Sequence, residues 1–255
     1  MHRELLFSFT WREFQARYRG SFGGVLWSLV QPLFMISVYT VVFSMLLKVR
    51  FGNSESPFAF GVYAMCGLLP FQALSEGLTA SGTVIVNNAN LVKRVVFPLE
   101  ILPLTLTLDA FLHQLIGFLL LFLFAWILIG HLYWTIFLVP IVCCFQICLA
   151  AGLNFLVASL AVYIPDITQL VRMMLPVWMF LTPVLYSEDL VPREYTIFLR
   201  LNPLAGLIQC YRDVIMLGKF PEPSILLLTG APCLAIFLGG YFLFKKLKKG
   251  FSDVI

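Results

Sequence analysis

Asp109, His113 and Gln114 sit inside a long apolar stretch, where ionisable groups are costly and often carry function. A helix would place Asp109 and His113, four apart, on one face. Two kinds of chemistry suit that pairing. One is a proton relay through carboxylate and imidazole, as a proton-driven carrier would need. The other, favoured here, is a hydrogen-bonded tie between neighbouring helices. Glu76, alone in another apolar run, invites the same two readings, and Gln146 and Asn154 read as interhelical ties.

The other chemical signal is the stretch Asn87–Pro103, NNANLVKRVVFPLEILP, a polar and basic interruption between two apolar runs. Leu91 and Val95, and Val92 and Val96, are four apart, so a helix over 90–97 would carry an apolar stripe beside Lys93 and Arg94. Asn90 is the expected N-cap, and Pro98 the expected stop, because the residue before a proline resists the α region. Eight residues of helix reach only about 12 Å, so this piece cannot cross a bilayer core of about 30 Å. It is read as a foot at the membrane face that a partner could grip, or as a plain amphipathic connector.

The elements that must position these residues follow from composition. The 255 residues are 60% hydrophobic and 12% charged, about half the charge of a soluble domain. No Asp, Glu, Lys or Arg occurs between Arg19 and Lys48, Asp109 and Asp166, or Glu222 and Lys245. A crossing helix needs about 20 such residues. The fold class is therefore an all-α polytopic membrane protein, read as one domain over 1–255. Alternating ten-residue segments of a β-barrel do not occur.

Six spans are predicted, at about 24–47, 58–86, 104–130, 134–164, 167–187 and 224–244. Gln31-Pro32, Pro176 and Pro183 predict kinks. Residues 3–19 predict an amphipathic interface helix, with Phe7, Trp11, Phe14 and Tyr18 on one face and Arg12 and Arg19 on another. Residues 188–222 predict two short re-entrant or outer helices. The first residues lack the apolar core and cleavage site of a secretory signal, so none is expected. With both termini cytoplasmic, eleven Lys and Arg fall inside and six outside, the sense of the positive-inside rule.

Gly218-Lys219 lacks the upstream glycine of a phosphate loop, and HExxH, CxxC and GxSxG do not occur. If nucleotide drives this chain, ATP and Mg are expected on a second polypeptide, with no cofactor or metal here. Cys66, Cys143, Cys144, Cys148, Cys210 and Cys233 lie mostly in apolar runs and read as small apolar fillers. An acyl- or glycosyltransferase would need a catalytic constellation that these residues do not form. Nor is a nucleic-acid partner expected.

Four stretches together carry a family resemblance. They are Arg17-Tyr18-Arg19-Gly20-Ser21 through Leu26-Trp27-Ser28 and Gln31-Pro32-Leu33; Asn90-Leu91-Val92-Lys93-Arg94 with Phe97-Pro98-Leu99-Glu100 and Pro103; Thr182-Pro183-Val184-Leu185-Tyr186; and Asn202-Pro203-Leu204 with Tyr211-Arg212-Asp213. In that order they resemble the permease subunit of polysaccharide-exporting ABC transporters, the class that moves O-antigen, capsule or teichoic acid. Thr182 stands where the family often has Ser, and Pro165 where it often has Arg.

The resemblance implies a homodimer of six-span permeases in the cell inner membrane, joined to two ATPase subunits. Asn90, Leu91, Lys93, Arg94, Phe97, Arg12 and Arg17 would then meet the ATPase. A glycan on a polyprenyl lipid, O-antigen first, would pass Trp27, Phe34, Tyr39, Phe43, Trp178 and Tyr186. Asn202, Pro203, Tyr211 and Arg212 would form an outer gate. A drug or lipid exporter of the same architecture is the alternative within the class.

Overall fold

The computed structural model describes residues 2–20, 23–42, 58–93, 97–130, 132–188 and 191–255. Among these, helices are the only regular elements. They run as α1 (His2–Tyr18), α2 (Trp27–Tyr39), α3 (Phe58–Asn87), α4 (Ala89–Val92), α5 (Ile101–Ile129), α6 (Val139–Tyr163), α7 (Asp166–Leu181), α8 (Thr196–Leu201), α9 (Pro203–Arg212), α10 (Pro223–Leu247) and α11 (Phe251–Val254). By length and composition, the segments Ile101–Ile127, Trp134–Tyr163 and Pro223–Val254 are long and apolar enough to cross a membrane. Phe43, Lys48 and Arg50 lie outside the described residues.

α3, 30 residues and about 45 Å long, is the post on which the others lean. α5, α6 and α7 all pack on it, with α2 and α9 beside them. α6 and α10 make the most intimate pair. Gly152 and Gly240 face each other there, and a Cβ on Gly240 would overlap the Gly152 carbonyl oxygen. Small residues let two backbones approach this closely, so dispersion does in lipid what the hydrophobic effect does in water.

Two apolar clusters divide the bundle along its length. The larger includes Tyr63, Leu69, Phe118, Leu149, Leu207 and Tyr211. The smaller joins Val84, Leu99, Phe155, Phe244 and Phe251, with Phe9 and Phe97 against it. It brings the first turns of α1, residues 88–93 and 97–100, and the tail to one end of the bundle. Lys248 pairs with Glu100 there, and the Tyr163 hydroxyl donates to the Leu247 carbonyl at 2.8 Å. α8, α9 and the turn of wide helix Asp213–Leu217 occupy the opposite end, where Thr135 Oγ1 donates to the Val214 carbonyl at 2.7 Å.

Several boundaries differ from the sequence reading. The helix expected over 90–97 is the four-residue α4. Lys93 ends it in a turn, Phe97 and Pro98 are not helical, and 94–96 lie outside the described residues. Asn90 is not its cap: Asn88 precedes the helix, and its side chain donates back to Val84 O at 2.8 Å. α7 stops at Leu181 rather than 187, because Thr182 precedes Pro183 and takes an extended conformation, φ −107° and ψ 136°. Pro183 thus ends the helix instead of bending it. α7 then spans 16 residues, about 24 Å. The face of α1 that packs inward is Phe9, Thr10, Phe14 and Tyr18, whereas Phe7 and Trp11 stay exposed.

Candidate functional site

α1 does more than lie flat at one end. Phe9 meets Phe97 at 5.5 Å, and further along Phe14 meets the His113 ring at 5.0 Å. That climb along α5 carries Arg17 and Tyr18 to the middle of the sequence-predicted polar group. Arg17 Nη1 donates to Glu76 Oε2 and Nη2 to Asp109 Oδ2, both at 2.5 Å. One guanidinium therefore bridges carboxylates on α3 and α5 through a charge-assisted hydrogen bond to each.

His113 is held beside this junction. Its Nδ1 lies 2.8 Å from the Tyr18 hydroxyl, and its Nε2 is 3.8 Å from Asp109 Oδ1, beyond hydrogen-bond reach. Asp109 is buried, and among the described residues its Oδ1 has no hydrogen-bond partner. A crevice of about 30 Å³, bordered by Ser28, Gln31, Gln72, Glu76, His113 and Gln114, opens alongside. That is room for one or two bridging waters. Chemically the arrangement is an ionic tie: it fixes α1 to two helices, with two acids sharing one base.

Deeper in the bundle Gln114 and Gln146 exchange amide hydrogen bonds at 2.8 and 2.5 Å. The Tyr211 hydroxyl donates to Gln146 Oε1 at 2.6 Å, which links α5, α6 and α9. Asn154 Nδ2 donates to Thr107 Oγ1 at 2.8 Å. Gln146 and Asn154 are thus the interhelical ties that the sequence suggests. What sequence reasoning missed is the partner of Asp109 and Glu76 on α1. No local signal marks it, since Arg17 and Asp109 are separated by 92 positions.

The residues expected to meet an ATPase divide into two sets. Asn90 and Lys93 are exposed, and Leu91 and Phe97 are half-buried in the cluster at that end. Arg12 is exposed, over the Phe9 ring at 4.3 Å and 3.2 Å from Glu13. Arg17 instead has its guanidinium turned onto Glu76 and Asp109. Arg94 lies outside the described residues.

The aromatic residues expected along a path are dispersed. Trp27 and Phe34 are exposed on α2, and Tyr39 packs on the large cluster. Trp178 Nε1 donates to Asn202 Oδ1 at 3.4 Å, and the Tyr186 hydroxyl donates to the Phe180 carbonyl at 2.9 Å. The expected gate residues lie at the far end, held by hydrogen bonds. Asn202 caps α9, accepting from Leu204 N at 3.1 Å and donating to Thr182 Oγ1 at 2.8 Å, with Pro203 at the first helical position. Tyr211 and Arg212 are buried. The Arg212 guanidinium lies 3.6 Å from the centre of the Tyr63 ring and donates to the Val184 carbonyl at 2.7 Å.

Comparison with known proteins gives this architecture a family. The chain is similar to the O-antigen export system permease protein RfbA of Klebsiella pneumoniae, 28% identical over 99% of this chain and 95% of the relative. It is similar to the O-antigen export system permease protein RfbA of Myxococcus xanthus, 26% identical over 100% of this chain and 96% of the relative. The polysialic acid transport protein KpsM of Escherichia coli is 21% identical over 83% of this chain and 81% of the relative. The family profile described as "ABC-2 type transporter" matches residues 4–216, most of the length. The chain belongs to the ABC-2 type transporter family.

Proposed function

We propose that this chain is the membrane-spanning permease subunit of an ATP-driven exporter that moves a polyprenyl-lipid-linked polysaccharide, O-antigen first, across the cytoplasmic membrane. Two copies form the pore, and two ATPase subunits supply the work. α2, α3, α5, α6, α7 and α10 make the six crossings. Both termini lie in the cytosol, on the side with the greater share of Lys and Arg.

The observation that carries this reading is the junction of Arg17 with Glu76 and Asp109. At one end of the bundle α1, residues 88–93 and 97–100 and the tail form a single packed body that exposes Asn90, Lys93 and Arg12. A partner pressing on that body moves α1, and the Arg17 fork delivers the motion to α3 and α5 about 12–16 Å along their lengths. The overall similarity to O-antigen permeases over at least 95% of their length supplies the cargo class.

Co-expression with a candidate ABC ATPase subunit tests the assignment. The two chains should co-purify in equal amounts, and ATP should drive polysaccharide to the cell surface. Lys93→Glu with Arg94→Glu should abolish stimulated ATP hydrolysis and export. Movement of polysaccharide by the purified permease alone, or normal export by the charge-reversed variant, would overturn the proposal.

A further inference from the structure

From Phe71 to Ile85 every residue of α3 is buried except Gln72, Ser75, Glu76, Thr79, Ala80 and Thr83. At 100° per residue these fall within an arc of about 140°, one continuous stripe with a rung every 5 Å or so. All but Ala80 are polar. The buried side of the same stretch, including Phe71, Leu74, Leu78, Val84 and Ile85, is apolar apart from Ser81, whose hydroxyl donates to the Gly77 carbonyl at 2.8 Å.

This is the reverse of what lipid demands, and the same chain supplies the contrast. α5 exposes Leu115, Leu119, Leu123, Trp126 and Ile127, and α10 exposes Leu227, Leu228, Leu234, Leu238 and Phe242. Those faces suit hydrocarbon. Polar groups facing hydrocarbon cost free energy, so a polar face on a spanning helix marks water, substrate or another polar surface.

We propose that this stripe of α3 is the wall along which a saccharide chain slides, its hydroxyls exchanging hydrogen bonds with Gln72, Ser75, Thr79 and Thr83. The proposal rests on the function stated above and names the contact surface within it. Three features favour a hydroxyl-rich, neutral ligand. Arg17 pairs with Glu76, the one charged residue on the stripe, and the other rungs are neutral. Ser75 donates to the Gln72 carbonyl at 2.9 Å and Thr79 to the Ser75 carbonyl at 2.8 Å. Each hydroxyl oxygen therefore offers its lone pairs outward, as acceptors for sugar O–H groups, while Gln72 brings both an acceptor and donors. Finally, the crevice beside α2 continues the polar surface through Ser28 and Gln31. Evenly spaced, weak and alike, such rungs hold a chain without trapping it.

Two measurements test this. In the complex of permease and ATPase, Ser75→Leu, Thr79→Leu and Thr83→Leu combined should lower the polysaccharide exported per ATP hydrolysed by about tenfold, the scale of a lost hydrogen bond. Separately, Thr79→Cys is made with Cys144→Ser and Cys148→Ser, since the other four cysteines are buried. The introduced thiol should react with a charged, water-soluble maleimide.

An unaltered export ratio in the leucine variant, or an introduced thiol that the reagent cannot reach, would show a face turned to lipid and overturn the proposal. Loss of the second permease copy on purification of the leucine variant would also overturn it, by making the stripe a seam between copies. If instead the unsubstituted complex exports no polysaccharide, the assigned function falls. The thiol measurement would still report whether the face is wet.

Discussion

Arg17 and Asp109 stand 92 positions apart, yet the guanidinium of one donates to the carboxylate of the other at 2.5 Å. Asp109 is 4% exposed, so Arg17 is what allows its charge to stay buried. Removing one partner of such a pair leaves an uncompensated charge, which costs more than the pair itself was worth. Arg17→Gln should destabilise the chain by about 2–3 kcal/mol, and adding Asp109→Asn should recover most of that loss. Thermal unfolding in detergent reads both. Equal midpoints for Arg17→Gln and the parent would remove the tie from the energetics.

The Gln114–Gln146–Tyr211 chain makes a different prediction, because no charge is involved. Gln146 serves three groups: the Gln114 amide, the Tyr211 hydroxyl and, more distantly at 3.4 Å, the Pro70 carbonyl. Gln146→Leu strands the Gln114 amide and leaves the Tyr211 hydroxyl only the weaker Cys143 Sγ at 3.2 Å, and should cost about 2 kcal/mol or more. Gln114→Leu with Gln146→Leu should cost clearly less than the sum of the single changes, since the second removes a group already stranded. A double-mutant cycle on unfolding midpoints decides it, and strict additivity would contradict the shared network.

How much of this was legible beforehand depends on how locally each feature is encoded. Long uncharged runs announce spanning helices, and a lone Gln146 or Asn154 in such a run must find a partner, so those roles could be read directly. The partner of Asp109 could not. It depends on how α1 leans on α5, and in α1 the aromatic spacing 7, 11, 14, 18 competes with the face 9, 10, 14, 18 that packs inward. The stripe on α3 was hidden for a related reason. Gln72, Ser75, Thr79 and Thr83 are interleaved with Ala, Gly and Leu and follow a strongly apolar first half, so 58–86 reads as an ordinary span. Its meaning emerges only when burial shows the polar side to be the less buried one. Pro183 illustrates a third limit: a proline predicts disturbance, but whether the helix bends or ends is decided by the backbone of the preceding Thr182.

At the end where the termini gather, Lys248 reaches Glu100 across 148 positions, with the Glu100 side chain 18% exposed and that of Lys248 32% exposed. Partly exposed pairs contribute modestly, about 1 kcal/mol or less. The expected effect is therefore local. Lys248→Glu should loosen the tail and raise its rate of cleavage by a protease added to the detergent-solubilised protein, while global unfolding barely moves. Glu100→Lys introduced together with Lys248→Glu should restore protection. Protection unchanged in the single variant would show that Phe251, packed on Phe244 at 5.6 Å, anchors the tail unaided.

The crossing of α6 and α10 offers the sharpest contrast between adjacent positions. A Cβ at Gly240 would overlap the Gly152 carbonyl oxygen, and one at Gly152 would lie 2.5 Å from the Ile236 carbonyl oxygen, in each case against rigid backbone. Nothing lies within 4 Å of the same atom at Gly239. Gly240→Ala must therefore push the two helices apart, at about 1–3 kcal/mol for overpacking. Gly239→Ala adds a methyl to open surface and removes a flexible residue from a helix interior, so it should be neutral or stabilising by up to about 1 kcal/mol. Folded yield after membrane extraction, with the unfolding midpoint, reads the pair. Equal behaviour of the two variants would mean that α6 and α10 do not cross backbone to backbone at this point, and the placement of α10 against the bundle would have to be redrawn.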